Sequence, residues 1–315
     1  MLTIFVTGAH GFIGRHLAQA LSGAGHAVAG IGHGAWPVAA AARWGVGHWL
    51  NGDLSSSNLN ALRTLGGTPD VVMHLAGGSS VGAAIAQPKE DFARTVASTV
   101  ELFEWLRQES PQTRVVAVSS AAVYGAGHTG AIAEGAALTP YSPYGHHKLM
   151  MESLCRSYGA TYGLRSAVAR LFSVYGAGLR KQLLWDLCSK LEAGQPTVEL
   201  GGSGAELRDW TDVRDVVRAL ALLPGLADAK VPTFNLGSGT ATSVRSVAGQ
   251  VVSAWQPAIA NPNLSFSGQS RSGDPFSLQA DAGRLAALGF EWQVPVRQGL
   301  VDYVQWYQAQ ARESR

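Results

Sequence analysis

The sequence predicts a doubly wound α/β fold with a parallel sheet, followed by a smaller C-terminal α/β lobe. Three observations lead there: β-branched runs of strand length alternate with longer helical patterns, a glycine-rich turn follows the first run, and the alternation breaks up after residue 172. Alternation of this kind means a parallel sheet, because successive parallel strands need a crossover, usually a helix, between them.

The strand-like runs are Thr3–Thr7, Ala27–Ile31, Val71–His74, Arg114–Ser119 and Ser166–Leu171. Between them, Phe12–Ser22, Ser55–Leu65, Gln87–Arg107 and Ser142–Tyr162 carry apolar residues at three-to-four spacing, and Ser55 and Pro88 are helix-start signals. Further on come a glycine-rich stretch at Gly201–Gly204, a short strand around Thr233–Leu236, prolines at 224, 232, 257, 262 and 275, and a last helix near Val296–Ala311. Residues 1–172 read as one domain, to which later strands and helices return, and residues 173–315 as mainly the smaller lobe.

With 46% hydrophobic and 15% charged residues, the 315-residue chain is too apolar for disorder, and 38 glycines without a three-residue period exclude collagen. The net charge is +2, with no run of five or six like charges, so no nucleic-acid footprint is present. Cys155 and Cys188 are the only cysteines; they make neither a disulfide framework nor a zinc quartet, and read as buried thiols. No metal site is expected. No stretch reaches the roughly 18 apolar residues of a membrane helix, and the apolar start Leu2–Val6 has no basic flank, so a cytoplasmic location is expected.

Directly after the first run, Gly8, Gly11 and Gly14 form a G-x-x-G-x-x-G that opens a helix through Phe12 and Ile13. The first glycine permits a tight turn, the second lets backbone N–H groups approach a pyrophosphate, and the third lets helix and strand pack closely, as in dinucleotide-binding Rossmann domains. An acidic residue about 20 positions on would bind the adenosine 2′-hydroxyl of NAD. None is present, since Asp53 is the first acidic residue of the chain. The second run ends in Gly32-His33-Gly34, with Arg15, His33 and Arg43 as counter-charges for a 2′-phosphate. NADP(H) is therefore expected, with NAD(H) as the alternative.

The run from Arg114 ends in Ser119-Ser120-Ala121-Ala122, and the helix after it holds Tyr144 and Lys148 at i, i+4 spacing, on one face. Half-ionising a tyrosine at neutral pH takes about three pKa units, or roughly 4 kcal/mol, which a neighbouring ammonium and an oxidised nicotinamide supply together. Tyr144 then exchanges a proton with a hydroxyl while the nicotinamide exchanges hydride with the carbon, and Ser120 hydrogen-bonds the same oxygen.

These motifs, with Gly52-Asp53-Leu54, His74-Leu75-Ala76-Gly77, Arg170-Leu171-Phe172-Ser173, Arg208-Asp209-Trp210, Asn235-Leu236-Gly237 and Arg271-Ser272-Gly273-Asp274, resemble nearly end to end the extended short-chain dehydrogenases/reductases of the NAD-dependent epimerase/dehydratase family, which act on nucleoside-diphosphate sugars. The resemblance implies that Asp53 and Leu54 lie at the adenine and Leu75, Ala76 and Gly77 against the cofactor. It also implies that Arg208 and Arg271 hold the sugar nucleotide's diphosphate, for which a guanidinium fork suits phosphate oxygens. Ser173 stands where the family has asparagine, and alanines 121 and 122 stand where its 4,6-dehydratases carry a carboxylate. The expected activity is oxidoreduction at C4 of the sugar, first as a 4-keto-6-deoxyhexose reductase in glycan precursor synthesis and alternatively as a 4-epimerase with tightly bound NAD. A non-catalytic dinucleotide sensor is the remote alternative. The resemblance further implies a homodimer through a four-helix bundle built from Gln87–Arg107 and Ser142–Tyr162, where Phe92, Val96, Val100, Phe103 and Leu106 recur.

Overall fold

Seven short apolar runs pair side by side into one parallel sheet, in the order Thr233–Leu236, Ser166–Leu171, Arg114–Ser120, Val71–His74, Thr3–Thr7, Ala27–Gly32, His48–Asn51. The computed structural model describes residues 1–255, 262–269 and 275–313. Register is set by buried faces: Phe5 sits opposite Val72 and Ala29, and Val116 opposite Met73 and Ala167. The strand order reverses beside Thr3–Thr7, and ligands of such sheets bind at the carboxyl ends of the strands at that reversal. Here those ends carry Gly8, His33, Leu75 and Ser120.

Two compact units result. The first comprises Met1–Gly125, Glu134–Leu171 and Val216–Leu236. Its core joins Phe5, Ile31, Val72 and Val115 from the sheet to Leu59, Phe103, Trp105 and Leu106 from the covering helices. The second comprises Ala126–Ala133, Phe172–Asp215 and Gly237–Arg315. Its central strand Leu207–Asp212 pairs with Ala241–Ser243, Ser277–Ala280 and Ser173–Tyr175. Asp209, buried on that strand, accepts from Ser238 N (2.8 Å), Ser238 Oγ (2.7 Å), Gly239 N (2.8 Å) and Ala280 N (3.1 Å), which pins the turn after Leu236 to the sheet.

Two elements differ from expectation. The edge strand His48–Asn51 has no buried residue, so no hydrophobic period marks it. The continuous helix expected over Gln87–Arg107 is instead Pro88–Phe92, a π-helical turn Ala93–Ala97, and Ser98–Glu109. Within that stretch Val96, Phe103 and Leu106 belong to the chain's own core, leaving Phe92 and Val100 exposed.

Candidate active site

The glycine turn is a cradle that larger residues would fill. Gly8 takes φ +73°, and a Cβ on it would lie 3.1 Å from Ala76 N; one on Gly14 would lie 2.2 Å from the Gly8 carbonyl. Gly11 is the N-cap of the helix Phe12–Gly23 and supplies no side-chain cap, so the positive helix end meets the turn, as an anion site requires. Thr99 Oγ1 donates to Thr95 O (2.6 Å) and so accepts from His74 Nε2 (3.0 Å), which makes His74 Nδ1 the acceptor from Thr7 Oγ1 (2.8 Å). The Thr7 hydroxyl then accepts from Leu75 N (3.1 Å) and Ala76 N (3.0 Å), fixing Leu75–Gly77 beside Gly8. Burial, reinforced by the nearby Lys148 charge, pushes His74 down to about 3, consistent with this neutral tautomer.

At the end of the second strand the structure removes the premise on which the NADP(H) expectation rests. His33 Nε2 lies 3.0 Å from Asp53 Oδ1, so a carboxylate does stand at this strand end, delivered from beyond the neighbouring strand His48–Asn51. Reading along one strand misses it, because parallel pairing of Gly32 with Asn51 is what carries the Gly52-Asp53 segment there. Of the counter-charges, Arg15 donates to His10 O (2.7 Å) and lies 5.5 Å over the Trp44 ring, while Arg43 is exposed at the end of the helix Val38–Arg43. Leu54 is buried. The pair His33–Asp53 is too exposed to add much stability; its effect is to place negative charge beside the strand end.

Ser120 ends the strand Arg114–Ser120, and Ser142 caps the helix Pro143–Tyr162 by accepting from Gly145 N (3.1 Å), which sets Tyr144 and Lys148 on one face. Ser120 lies near enough to the Tyr144 hydroxyl to act on its pKa. Lys148 Nζ lies 6.0 Å from the Tyr144 ring centre, donates to Val118 O (2.9 Å) and faces Gly77. Burial raises the Tyr144 pKa; Ser120 opposes this and the Asp91 charge adds to it. Burial pushes Lys148 down to about 8, against the pull of Asp91 and Glu152. The three side chains that the sequence singled out therefore lie close together, while Ala121 and Ala122 add no polar side chain, and the Ala122 N–H donates to Ser120 Oγ (3.2 Å).

Sequence reasoning missed the buried network behind them. Glu152 accepts from Ser119 Oγ (2.7 Å), Arg170 Nε (2.9 Å), Arg170 Nη2 (2.7 Å) and Arg156 Nη2 (2.8 Å). Arg170 also donates to Tyr124 OH (2.9 Å) and Glu134 O (3.0 Å), and Tyr124 OH donates to Asn235 Oδ1 (2.6 Å). The only signal for it in the sequence is Glu152, four residues after Lys148 and so on the same face.

In the second unit Ser173 pairs with Trp210, two residues from Arg208, so both residues lie on adjoining strands. Arg208 Nη1 donates to Leu207 O (2.8 Å). Arg271 lies outside the described residues. Among the described residues no group of three His, Cys, Asp or Glu side chains is arranged to hold a metal, and no helix is long and apolar enough to cross a membrane.

A family model described as the NAD dependent epimerase/dehydratase family matches residues 4–237. The solved structure of MoeE5 in complex with UDP-glucuronic acid and NAD is 32% identical, covers 98% of this chain and 99% of that chain, and superposes with a TM-score of 0.84. The Thermus thermophilus UDP-glucose 4-epimerase, solved with NAD, is 26% identical over 97% of this chain and 98% of that chain, with a TM-score of 0.85. The UDP-glucose 4-epimerase of Azospirillum brasilense is 29% identical over 90% of this chain and 84% of its own length. Both of these structures hold NAD, and an NADP preference finds no support among them. The glycine cradle, the hydroxyl–phenol–ammonium cluster and a match across residues 4–237 together make the chain a member of the NAD dependent epimerase/dehydratase family of enzymes.

Proposed function

We propose that this protein is a nucleoside-diphosphate-sugar 4-epimerase that works with bound NAD. The observation that carries the reading is the cluster of Ser120, Tyr144 and Lys148, with Lys148 Nζ 6.0 Å from the Tyr144 ring centre and two alanines after Ser120. That arrangement moves one proton at one oxygen; eliminating water from C5–C6 needs a further acid and base, which Ala121 and Ala122 lack. The reductase reading leaned on the missing strand-end carboxylate, and Asp53 removes that reason. Relatives that are epimerases favour the alternative.

Gly8, Gly11, Phe12, Ile13 and Gly14 would hold the pyrophosphate of NAD, His33, Asp53 and Leu54 its adenosine, and Leu75, Ala76, Gly77, Tyr144 and Lys148 its nicotinamide riboside. When bound, the oxidised nicotinamide supplies a reversible hydride acceptor for C4 and a positive charge near the phenol. Tyr144 takes the proton from the C4 hydroxyl and returns it after the sugar has presented its other face. Ser120 keeps a hydrogen bond to that oxygen throughout, and the Lys148 ammonium stabilises the phenolate. Ser173, Arg208 and Arg271 bind the substrate diphosphate; UDP-hexoses are the first class to test, because the relatives' names carry UDP.

Three results are expected. Protein purified without added cofactor releases NAD on denaturation and equilibrates UDP-glucose with UDP-galactose, followed by proton NMR. Release of NADP, or turnover only with added NADPH and a keto sugar, contradicts the reading. Arg208→Ala weakens UDP binding by roughly ten- to a hundredfold in calorimetric titration, since a charge-assisted hydrogen bond contributes about 1.5–3 kcal/mol. Unchanged affinity removes Arg208 from the diphosphate site. The exposed Phe92 and Val100, with Met150 and Tyr162 on the helix Pro143–Tyr162, support a homodimer built on these helices. Light scattering at micromolar concentration is expected to give twice the chain mass, and a monomer would contradict it.

A further inference from the structure

A buried acid that the proposed chemistry does not use lies beside the active-site turn. Asp91 is only 5% exposed at the end of Pro88–Phe92, and its Oδ2 lies 2.5 Å from Nδ1 of His147, the residue just before Lys148. Its Oδ1 packs onto Gly78, where an added Cβ would lie 1.7 Å from it. A Cβ on the preceding Gly77 would instead meet Lys148 Nζ at 3.1 Å and Thr95 Oγ1 at 3.2 Å. Thr95, one turn after Asp91, accepts from Gly78 N (2.8 Å). The side-chain-free Gly77–Gly78 turn is thus flanked by the ammonium at one residue and the carboxylate at the next. Phe92 covers the pair, its ring 5.5 Å from that of His147.

A carboxylate taken from water is costly unless its charge is used. An apolar pair would join the two helices at less cost. We propose that Asp91, held by His147, is a positioning residue for the active site, whose charge stabilises the Lys148 ammonium across Gly77–Gly78 while Lys148 acts on Tyr144. This inference rests on the roles given above to Tyr144 and Lys148.

The groups that act on Lys148 are Asp91, Glu152 and Cys155, and Lys148 in turn acts on His74. Glu152 is already engaged by Arg170 and Arg156, His74 is neutral, and burial pushes the Cys155 thiol up to about 12. Asp91 is the remaining anion; when the imidazole that donates to it is neutral, the pair keeps one net negative charge. Lys148 works protonated, and removing a nearby anion lowers its pKa, so loss of Asp91 brings deprotonation to lower pH.

The test is the pH profile of kcat/KM for UDP-hexose interconversion. In Asp91→Asn the amide oxygen still accepts from His147 Nδ1 while the charge is gone, and the alkaline limb is expected to move down by about one pH unit. His147→Gln leaves the charge in place, and its limb stays where the wild-type limb lies. Coincident limbs for Asp91→Asn and wild type overturn the inference, as does an equal loss at every pH with a lowered Tm in both variants. If Asp91→Asn does not fold, Asp91→Ser, which also lacks the charge, is read in its place. Tyr144→Phe separates the two levels: an active Tyr144→Phe sinks the underlying reading, whereas an inactive one with an unshifted Asp91→Asn limb sinks this inference alone.

Discussion

Tyr144→Phe lowers kcat by about 10²–10⁴-fold, the range lost with a positioned general acid–base group, and leaves sugar-nucleotide binding within a few-fold of wild type. The asymmetry follows from the geometry. The hydroxyl removed is the group on which Ser120 acts, whereas the ring remains on its helix face beside Lys148. Without ligand, burial holds the phenol above its ordinary pKa, so the site is not a preformed phenolate. On the proposed reading, ionisation waits for positive charge to enter, which couples proton removal to an occupied site. Single-turnover kinetics together with calorimetric UDP-sugar titration check this. Substantial residual turnover would take Tyr144 out of the acid–base role.

Glu152→Leu destabilises the fold by about 3–5 kcal/mol, the cost of leaving a buried charge without its partner. Arg170 is 1% exposed and would keep only the Tyr124 hydroxyl and the Glu134 carbonyl as acceptors. The double variant Glu152→Leu/Arg170→Met recovers much of the loss, because two apolar side chains replace both charges. Urea unfolding at pH 7 measures all three variants. Burial raises the Glu152 pKa, but hydrogen bonds and charge from Arg170, with Ser119 and Arg156, outweigh it, and the net shift is downward. Its contribution is therefore complete above the ordinary value of 4.5 and fades as pH falls through the lower folded value. Equal stability of Glu152→Leu and wild type would mean that the network does not hold the sheet to the helix.

What could be read along the chain is what neighbouring residues dictate. The Gly8–Gly14 turn announces itself between a strand and a helix, and Tyr144 and Lys148 need only helical spacing to share a face. Ser120 needs one more step, the packing of their helix Pro143–Tyr162 beside the end of its strand. The features that stayed hidden depend on which strand lies beside which. Asp53 reaches His33 because His48–Asn51 pairs with Ala27–Gly32. Arg170 meets Glu152 and Tyr124 only once Ser166–Leu171 lies next to Arg114–Ser120. The Asp91–His147 contact needs Pro88–Phe92 to pack against Pro143–Tyr162, which no hydrophobic period reports. The premise of the NADP expectation fell for this reason: the carboxylate missing from one strand is delivered from beyond the next.

On the proposed reading, C4 of the sugar is oxidised by loss of hydride while its oxygen loses a proton, and both are restored within a single active site. UDP-glucose deuterated at C4 and incubated with the enzyme as purified, without added cofactor, tests it most directly. Mass spectrometry is expected to find UDP-galactose that keeps its deuterium, with no label lost to water. Loss of label to solvent, or conversion only when a reduced cofactor is supplied and consumed, would contradict the account.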